Sequence, residues 1–355
     1  MKRIDNLYEK IIDMKNLERA DRKARRGKLQ SYGVRLHDQN RKTNLEALYD
    51  ALLTKTYKTS EYEVFTIYDP KERQISRLPY YPDRIVHHAI MNILEPIWSK
   101  TFTYNTYSCI KKRGIEGCAR RFKEFIREFD GKPLYCLKID IRKYYPSISH
   151  RVLKCLVRRK IKDENLLWLI DEIIDSAPGL PIGNYLSQYL ANLCLCYFMH
   201  WVNEKLPYIL QKELGLESKP VIRSTEYADD IAFLNDSKEV LRCAFKHIRR
   251  YIEEELELQI KGNWQIFPVA ENRYDRHGRA VDYVGYKFYR KQQLIRKNIK
   301  KNFCRKAAEL NRLVPAPEAA SYKQTLAPWL GWAKHSNSRH LLKTIIKPNY
   351  YESIL

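Results

Sequence analysis

The sequence predicts an α+β fold. Three observations lead there: alternating β-branched patterning at Tyr62–Leu78 and Val221–Leu234, one apolar strand at Leu134–Ile141, and helical periodicity through most of the remainder. The first fifty residues read as helical and carry Arg22, Lys23, Arg25, Arg26 and Lys28, so residues 1–60 form a basic N-terminal extension. Such a run is an ordinary solvated face, or, beside the overall positive charge, an arm that grips RNA. Tyr62–Leu78 is a hairpin whose turn is Asp69-Pro70 and the charged residues after it. Helices are expected at Asp83–Trp98 and Gly117–Phe129, the second ending at Gly131-Lys132-Pro133. In Leu134–Ile141, Leu137, Ile139 and Ile141 share one face, and Cys136, Lys138 and Asp140 the other.

Helices follow at Arg151–Lys160 and Glu164–Asp175, and Pro178-Gly179-Leu180-Pro181 leads into a long one from Asn184. Val221–Leu234 reads as two strands joined at Ala228-Asp229. Asp236 and Glu239 then have capping-box spacing ahead of an apolar stripe from Val240 to Ile252. Beyond residue 290 the periodicity is helical: Ile295, Ile299, Phe303 and Leu310 recur between Leu294 and Leu313, opposite Arg296, Lys297, Lys300, Lys301, Arg305 and Lys306. That helix either packs and solvates, or packs and follows a duplex backbone. Pro315 and Pro317 separate it from a last helical segment at Tyr322–Ile346. The expected domains are residues 1–60, 61–289 and 290–355.

The chain has 355 residues, room for two or three folding units. Its 65 Lys+Arg against 42 Asp+Glu leave a net charge of +23, which points to a polyanionic partner. The 26 tyrosines suit bases as the cations suit phosphates. No apolar leader follows MKRIDNLYEK, and Tyr189–Val202 is too short to span a bilayer, so a cytoplasmic protein without membrane contact is expected. The eight cysteines form no C-x-x-C pair and are expected to stay reduced.

The chemistry is expected from carboxylates. Asp140 at the end of an apolar strand is ordinary alone, but Tyr227-Ala228-Asp229-Asp230 sets two adjacent acids at a tight turn, where they repel unless a cation is present. Should the strands lie side by side, three carboxylates converge in a manner suited to Mg²⁺. Two metals about 4 Å apart would stabilise the attacking and leaving oxygens of a nucleotidyl transfer.

These residues resemble the reverse transcriptases. Asp140-Ile-Arg-Lys-Tyr-Tyr145 is similar to the family's first catalytic motif, Tyr-Ala-Asp-Asp at 227–230 to its second. Gly179-Leu-Pro-Ile-Gly-Asn-Tyr-Leu-Ser-Gln188 resembles the intervening motif, usually Gln-Gly-x-x-x-Ser-Pro. Here Ile182 replaces Gln and Gln188 replaces Pro, a departure that resembles the enzymes of diversity-generating retroelements. Tyr81-Pro-Asp-Arg84-Ile-Val and Ser108-Cys-Ile-Lys-Lys-Arg113-Gly114 look like fingers blocks. Lys261-Gly-Asn-Trp264-Gln looks like the segment after the palm helix, Tyr283-Val-Gly285-Tyr286 like the primer grip, and Trp329-Leu-Gly-Trp332-Ala-Lys-His335 like the thumb.

The resemblance implies a right-hand polymerase fold: fingers and palm with an antiparallel sheet to about residue 289, then a helical thumb, with no room left for an RNase H, integrase or endonuclease domain. It implies catalysis by Asp140, Asp229 and Asp230, and two Mg²⁺ ions, or Mn²⁺ in their place, at Asp140, Ile141, Asp229 and Asp230. dNTP contacts fall to Arg73, Arg77 and their neighbour Lys71, to Tyr145 as the gate against a 2′-hydroxyl, to Ile182, Gly183 and Gln188, and to Lys261 as the acid protonating pyrophosphate. Nucleic acid falls to Arg113, Tyr283, Gly285, Lys300 and Lys301.

Ile182 offers only apolar contact where Gln would hydrogen-bond, so low-fidelity cDNA synthesis is expected, and the resemblance implies errors opposite template adenines of a retroelement RNA. Template RNA, primer or cDNA, dNTPs and a small basic oligomeric accessory protein are the implied partners. A retron or abortive-infection reverse transcriptase, an RNA-dependent RNA polymerase, and an inactive RNA-binding scaffold remain as alternatives. Neighbouring genes, NTP against dNTP use, and primer extension respectively separate them.

Overall fold

The computed structural model describes residues 3–68, 72–313 and 315–354. In chain order the helices and strands are α1 (Tyr8–Ile12), α2 (Met14–Ala24), α3 (Tyr32–Gln39), α4 (Arg41–Leu53), β1 (Glu63–Ile67), β2 (Arg73–Arg77), α5 (Ile85–Thr101), α6 (Gly114–Arg127), β3 (Tyr135–Asp140), α7 (Tyr144–Ser147), α8 (His150–Arg158), α9 (Glu164–Asp175), α10 (Tyr185–Glu204), α11 (Leu206–Glu213), β4 (Arg223–Tyr227), β5 (Asp230–Asn235), α12 (Lys238–Arg250), β6 (Gln265–Pro268), β7 (Val281–Tyr283), β8 (Tyr286–Phe288), β9 (Gln293–Ile295), α13 (Lys297–Asn311), α14 (Ala319–Lys334), α15 (Arg339–Ile345) and α16 (Pro348–Ile354). This is the α+β composition the sequence predicts. The chain divides into two units: Met1–Ile110, Asp140–Ile209 and Lys246–Gly262 form the first, and Lys111–Ile139, Leu210–Phe245 and Asn263–Leu355 the second.

The first unit is built on buried helices. α10 is apolar almost all round and buried along its length, as a central core helix should be. Its buried Asn192 is satisfied by donating to the Ser108 carbonyl at 2.7 Å. α2 packs on α5, where Asn16 donates to the Ala89 carbonyl at 3.1 Å, and buries Leu17, Ala20 and Ala24 at helical spacing. Asp163 caps α9 by accepting from Leu166 N–H, and its other oxygen accepts from Leu7 and Tyr8 N–H, tying down the N-terminal segment. β1 and β2 form an antiparallel hairpin with Glu63 opposite Arg77. The expected turn at Asp69-Pro70, and Lys71, lie outside the described residues.

The second unit holds a four-stranded sheet in the order β4-β5-β3-β6, a three-stranded antiparallel sheet β7-β8-β9, and the helices from α13 to α16. Phe303, Ala307 and Leu310 of α13 meet Tyr322, Leu326, Leu342 and Tyr350 in a buried cluster. Two local expectations are corrected. Leu294 and Ile295 belong to β9, paired with Lys287 and Tyr286, and the basic helix starts at Lys297: two apolar residues fit either period, and the free edge of β8 takes them. Ser237, not Asp236, caps α12, its Oγ accepting from Val240 N–H at 3.3 Å.

Candidate active site

β3 ends on Asp140, and its neighbour β5 begins at Asp230. Tyr227 pairs with Asp230, so the β4–β5 connection is a two-residue turn with Asp229 at its tip. Ala228 takes φ 54°, a left-handed conformation that a residue with a Cβ adopts at a cost, and which is held by the hairpin on either side.

In the second unit the Asp230 carboxylate meets the Lys138 ammonium at 3.3 Å. Lys138 also donates to the Asp282 carbonyl and lies 5.7 Å from the centre of the Tyr283 ring. In the first unit the Lys261 ammonium sits 2.5 Å from the Asp140 carboxylate, and Lys261 N–H donates to the Asp140 carbonyl at 2.9 Å. A bridge between Ile141 and Ile260, with Arg142 N–H donating to the Gln259 carbonyl, fixes that register. The Ile141 side chain is buried, so only its backbone can serve a cation. Asp140 and Asp230 offer carboxylate oxygens on partly exposed side chains, each facing an ammonium group. This chemistry fits a hard divalent cation.

The two tyrosines after Asp140 separate cleanly. Tyr144 is buried and donates to the Ala191 carbonyl at 2.6 Å, whereas Tyr145 is partly exposed. Leu180 N–H donates to the Tyr145 carbonyl, and at Gly179, φ +62°, a Cβ would fall 2.4 Å from the Pro146 carbonyl oxygen. Ser76 N–H donates to the Ile182 carbonyl, and at Gly183, φ +124°, a Cβ would fall 2.9 Å from the Ser76 oxygen. The Ile182-Gly183 segment is therefore docked on β2, which carries Arg73 and Arg77. Ile182 and Gln188 are partly exposed, and Arg73 is exposed.

In the second unit Val284, at φ 40°, and Gly285, at φ +85°, turn β7 into β8. A Cβ on Gly285 would fall 2.4 Å from the Trp332 ring, so only glycine fits. Lys300 and Lys301 are exposed on α13, and Arg113 is partly exposed at the start of α6.

The matched family model is that of reverse transcriptase (RNA-dependent DNA polymerase), over residues 69–287. This chain belongs to the reverse transcriptase family. It is also similar to protein YkfC of Escherichia coli (strain K12), with 24% identity over 252 residues, 61% of this chain and 65% of that protein. The chain thus spans somewhat under two thirds of that relative.

Within this chain one expected contact is corrected. The Tyr283 ring is 0% exposed, packed at 5.1 Å from Phe122 and hydrogen-bonded with Cys118, so it braces the turn and cannot itself reach nucleic acid. Burial, with the nearby Cys118 and Asp230, raises its hydroxyl well above the usual tyrosine value, so it stays protonated. The residue sequence reasoning missed is Lys138. The strand alternation that put it on the Asp140 face was the available signal. Among the described residues no helix is long and apolar enough to cross a membrane.

Proposed function

We propose that the chain is an RNA-directed DNA polymerase that extends a primer with dNTPs on an RNA template, using Asp140, Asp229 and Asp230 around two divalent cations. The observation that carries this reading is the sheet order: β3, ending on Asp140, is the immediate neighbour of β5, which opens at Asp230. Asp140 and Asp229 are the direct ligands, with the Ile141 backbone beside them, and Asp230 supports them. Mg²⁺, or Mn²⁺ in its place, when bound acidifies the primer 3′-hydroxyl and neutralises charge on the triphosphate. The protein's own part is positioning. Tyr145 stacks under the incoming sugar and excludes a 2′-hydroxyl. Arg73 and Arg77 meet the triphosphate, Gly183 and Gln188 line the base-pair side, and Lys261 protonates the departing pyrophosphate. Arg113, Gly285, Lys300 and Lys301 serve the template and primer. Residues 61–289 are the fingers and palm, residues 290–355 the thumb, and residues 1–60 a basic extension.

Ile182 favours the diversity-generating subgroup. Its apolar side chain, partly exposed on a segment fixed by β2, cannot brace a nascent base pair through a hydrogen bond as Gln does. The product is then adenine-mutagenised cDNA from a retroelement RNA. A small basic accessory protein joins through that RNA, since a partner with the same charge sign needs an anionic intermediary. Purified chain, with and without the accessory protein, should extend a primer on RNA with dNTPs and not NTPs. Errors should concentrate at template adenines and fall several-fold in Ile182→Gln. Equal error rates in the two proteins contradict the subgroup, and extension with NTPs alone contradicts the reaction.

A further inference from the structure

A cavity of about 610 Å³ opens in the first unit, between the segment from Lys28 through α3 and the segment Arg77–Arg84. Lys28 and Tyr32 precede residue 69, where the family match begins. That volume is within the range of small-molecule sites. Its wall combines cations with aromatic and apolar surface, Lys28, Arg77 and Arg84 with Tyr32, Leu36 and Tyr81, and also carries Glu61 and Glu63.

Arg77 is held by Glu63 at 2.5 Å. No carboxylate among the described residues lies within ion-pair distance of Lys28 or Arg84. Of the two acids in the wall, Glu63 is taken by Arg77, and Glu61 makes no ion pair among the described residues. Burial and the charge of Arg84 lower the Lys28 pKa, and burial and Arg77 lower that of Arg84, so these cations lie close together, and the three outnumber the two acids of the wall. Such a cluster is relieved by an anion.

The rim adds a different chemistry. Tyr32 is 80% exposed, a large aromatic face left to solvent, with Leu36 half-exposed one turn later. Behind it His37 is buried, stacked on Tyr81 at 5.4 Å and accepting from Asn44 Nδ2 at 3.2 Å, which makes the back wall rigid. Cations that lack counterions beside an aromatic platform suit a group with both a phosphate and a flat base. The strong positive charge of the chain favours a strand over a free nucleotide, because neighbouring phosphates of a strand also find exposed cations such as Arg26 and Arg35.

We propose that this cavity holds one unpaired nucleotide of a single-stranded RNA, its phosphate between Lys28 and Arg84 and its base on the Tyr32 ring. The identity of the strand rests on the polymerase reading; the site does not.

The test is photocrosslinking of the full chain to a short single-stranded RNA carrying 4-thiouridine, without dNTP or divalent metal. A crosslink in the peptide containing Tyr32 or Tyr81 is expected. It should be competed by unlabelled single strand, and poorly by duplex, AMP or inorganic phosphate. Tyr32→Ala, an exposed position that leaves the fold intact, should cut its yield roughly tenfold. Lys28→Gln should lower the salt dependence of binding by about 0.7 in log–log slope. An absent crosslink there, an unchanged yield in Tyr32→Ala, or competition by AMP as strong as by the oligonucleotide overturns the proposal. Asp229→Ala should abolish primer extension and leave this crosslink intact. A chain that crosslinks yet never extends a primer refutes the polymerase and spares the site.

Discussion

Two lysine–aspartate pairs flank the acidic motifs, and they differ in how firmly the lysine is held. Lys261 has one side-chain partner, Asp140, and both side chains are about a third exposed, at 35%. Lys138 is fixed three ways, by Asp230, by the Asp282 carbonyl and by the face of the Tyr283 ring. A lysine with a single exposed partner can swing away and deliver a proton, whereas one fixed on three sides can only supply charge. On the proposed polymerase reading the difference suits Lys261 to delivering the proton and Lys138 to holding the hairpin in place.

The carboxylates should show the largest effect. Asp140→Ala or Asp229→Ala is expected to reduce single-turnover primer extension at least about a thousandfold, the loss of several kcal/mol of charge stabilisation. Next, Lys261→Met should lower the extension rate about a hundredfold while leaving the urea midpoint nearly unchanged, because a general acid is removed and an exposed pair is worth little. Lys138→Met should do the opposite, costing about 1–3 kcal/mol of stability and slowing extension less than tenfold. Equal losses in rate and stability for the two lysines would break the distinction between them.

The units should also differ in their response to acid. Burial lowers the pKa of His37, of His87 to about 3 and of His88 to about 4, all three in the first unit. A buried histidine that refuses protons when folded, while the unfolded chain accepts them below about 6.5, gives stability that is complete above that pH. It is lost as pH falls towards the folded value, by up to about 1.4 kcal/mol per pH unit for each group. Hydrogen exchange from pH 7 to 5 should therefore loosen α5 before the sheet of the second unit. His87→Leu should flatten the trend.

Much of this was legible in residue order. Alternation found both hairpins and β3, and the polar breaks around Tyr189–Val202 marked a buried helix whose Asn192 finds a carbonyl. The carboxylates stood out because adjacent acids at a tight turn need a cation. Other features depended on folding. Leu294 and Ile295 satisfy two periods and join a strand only because β8 offers an edge. Tyr283 reads as a surface aromatic until Phe122 and Cys118 are seen to cover it. The cavity at Lys28 is built from segments distant in the chain, and no local pattern announces that a cation lacks its partner.

The central claim is that Asp140 and the turn at Asp229-Asp230 share the same ions. Fe²⁺ substituted for Mg²⁺, with peroxide and ascorbate, cleaves backbone next to the bound metal. The account predicts simultaneous cuts near residues 140 and 229, both lost in Asp140→Asn. A single cut, or a cut at 229 that survives Asp140→Asn, contradicts it.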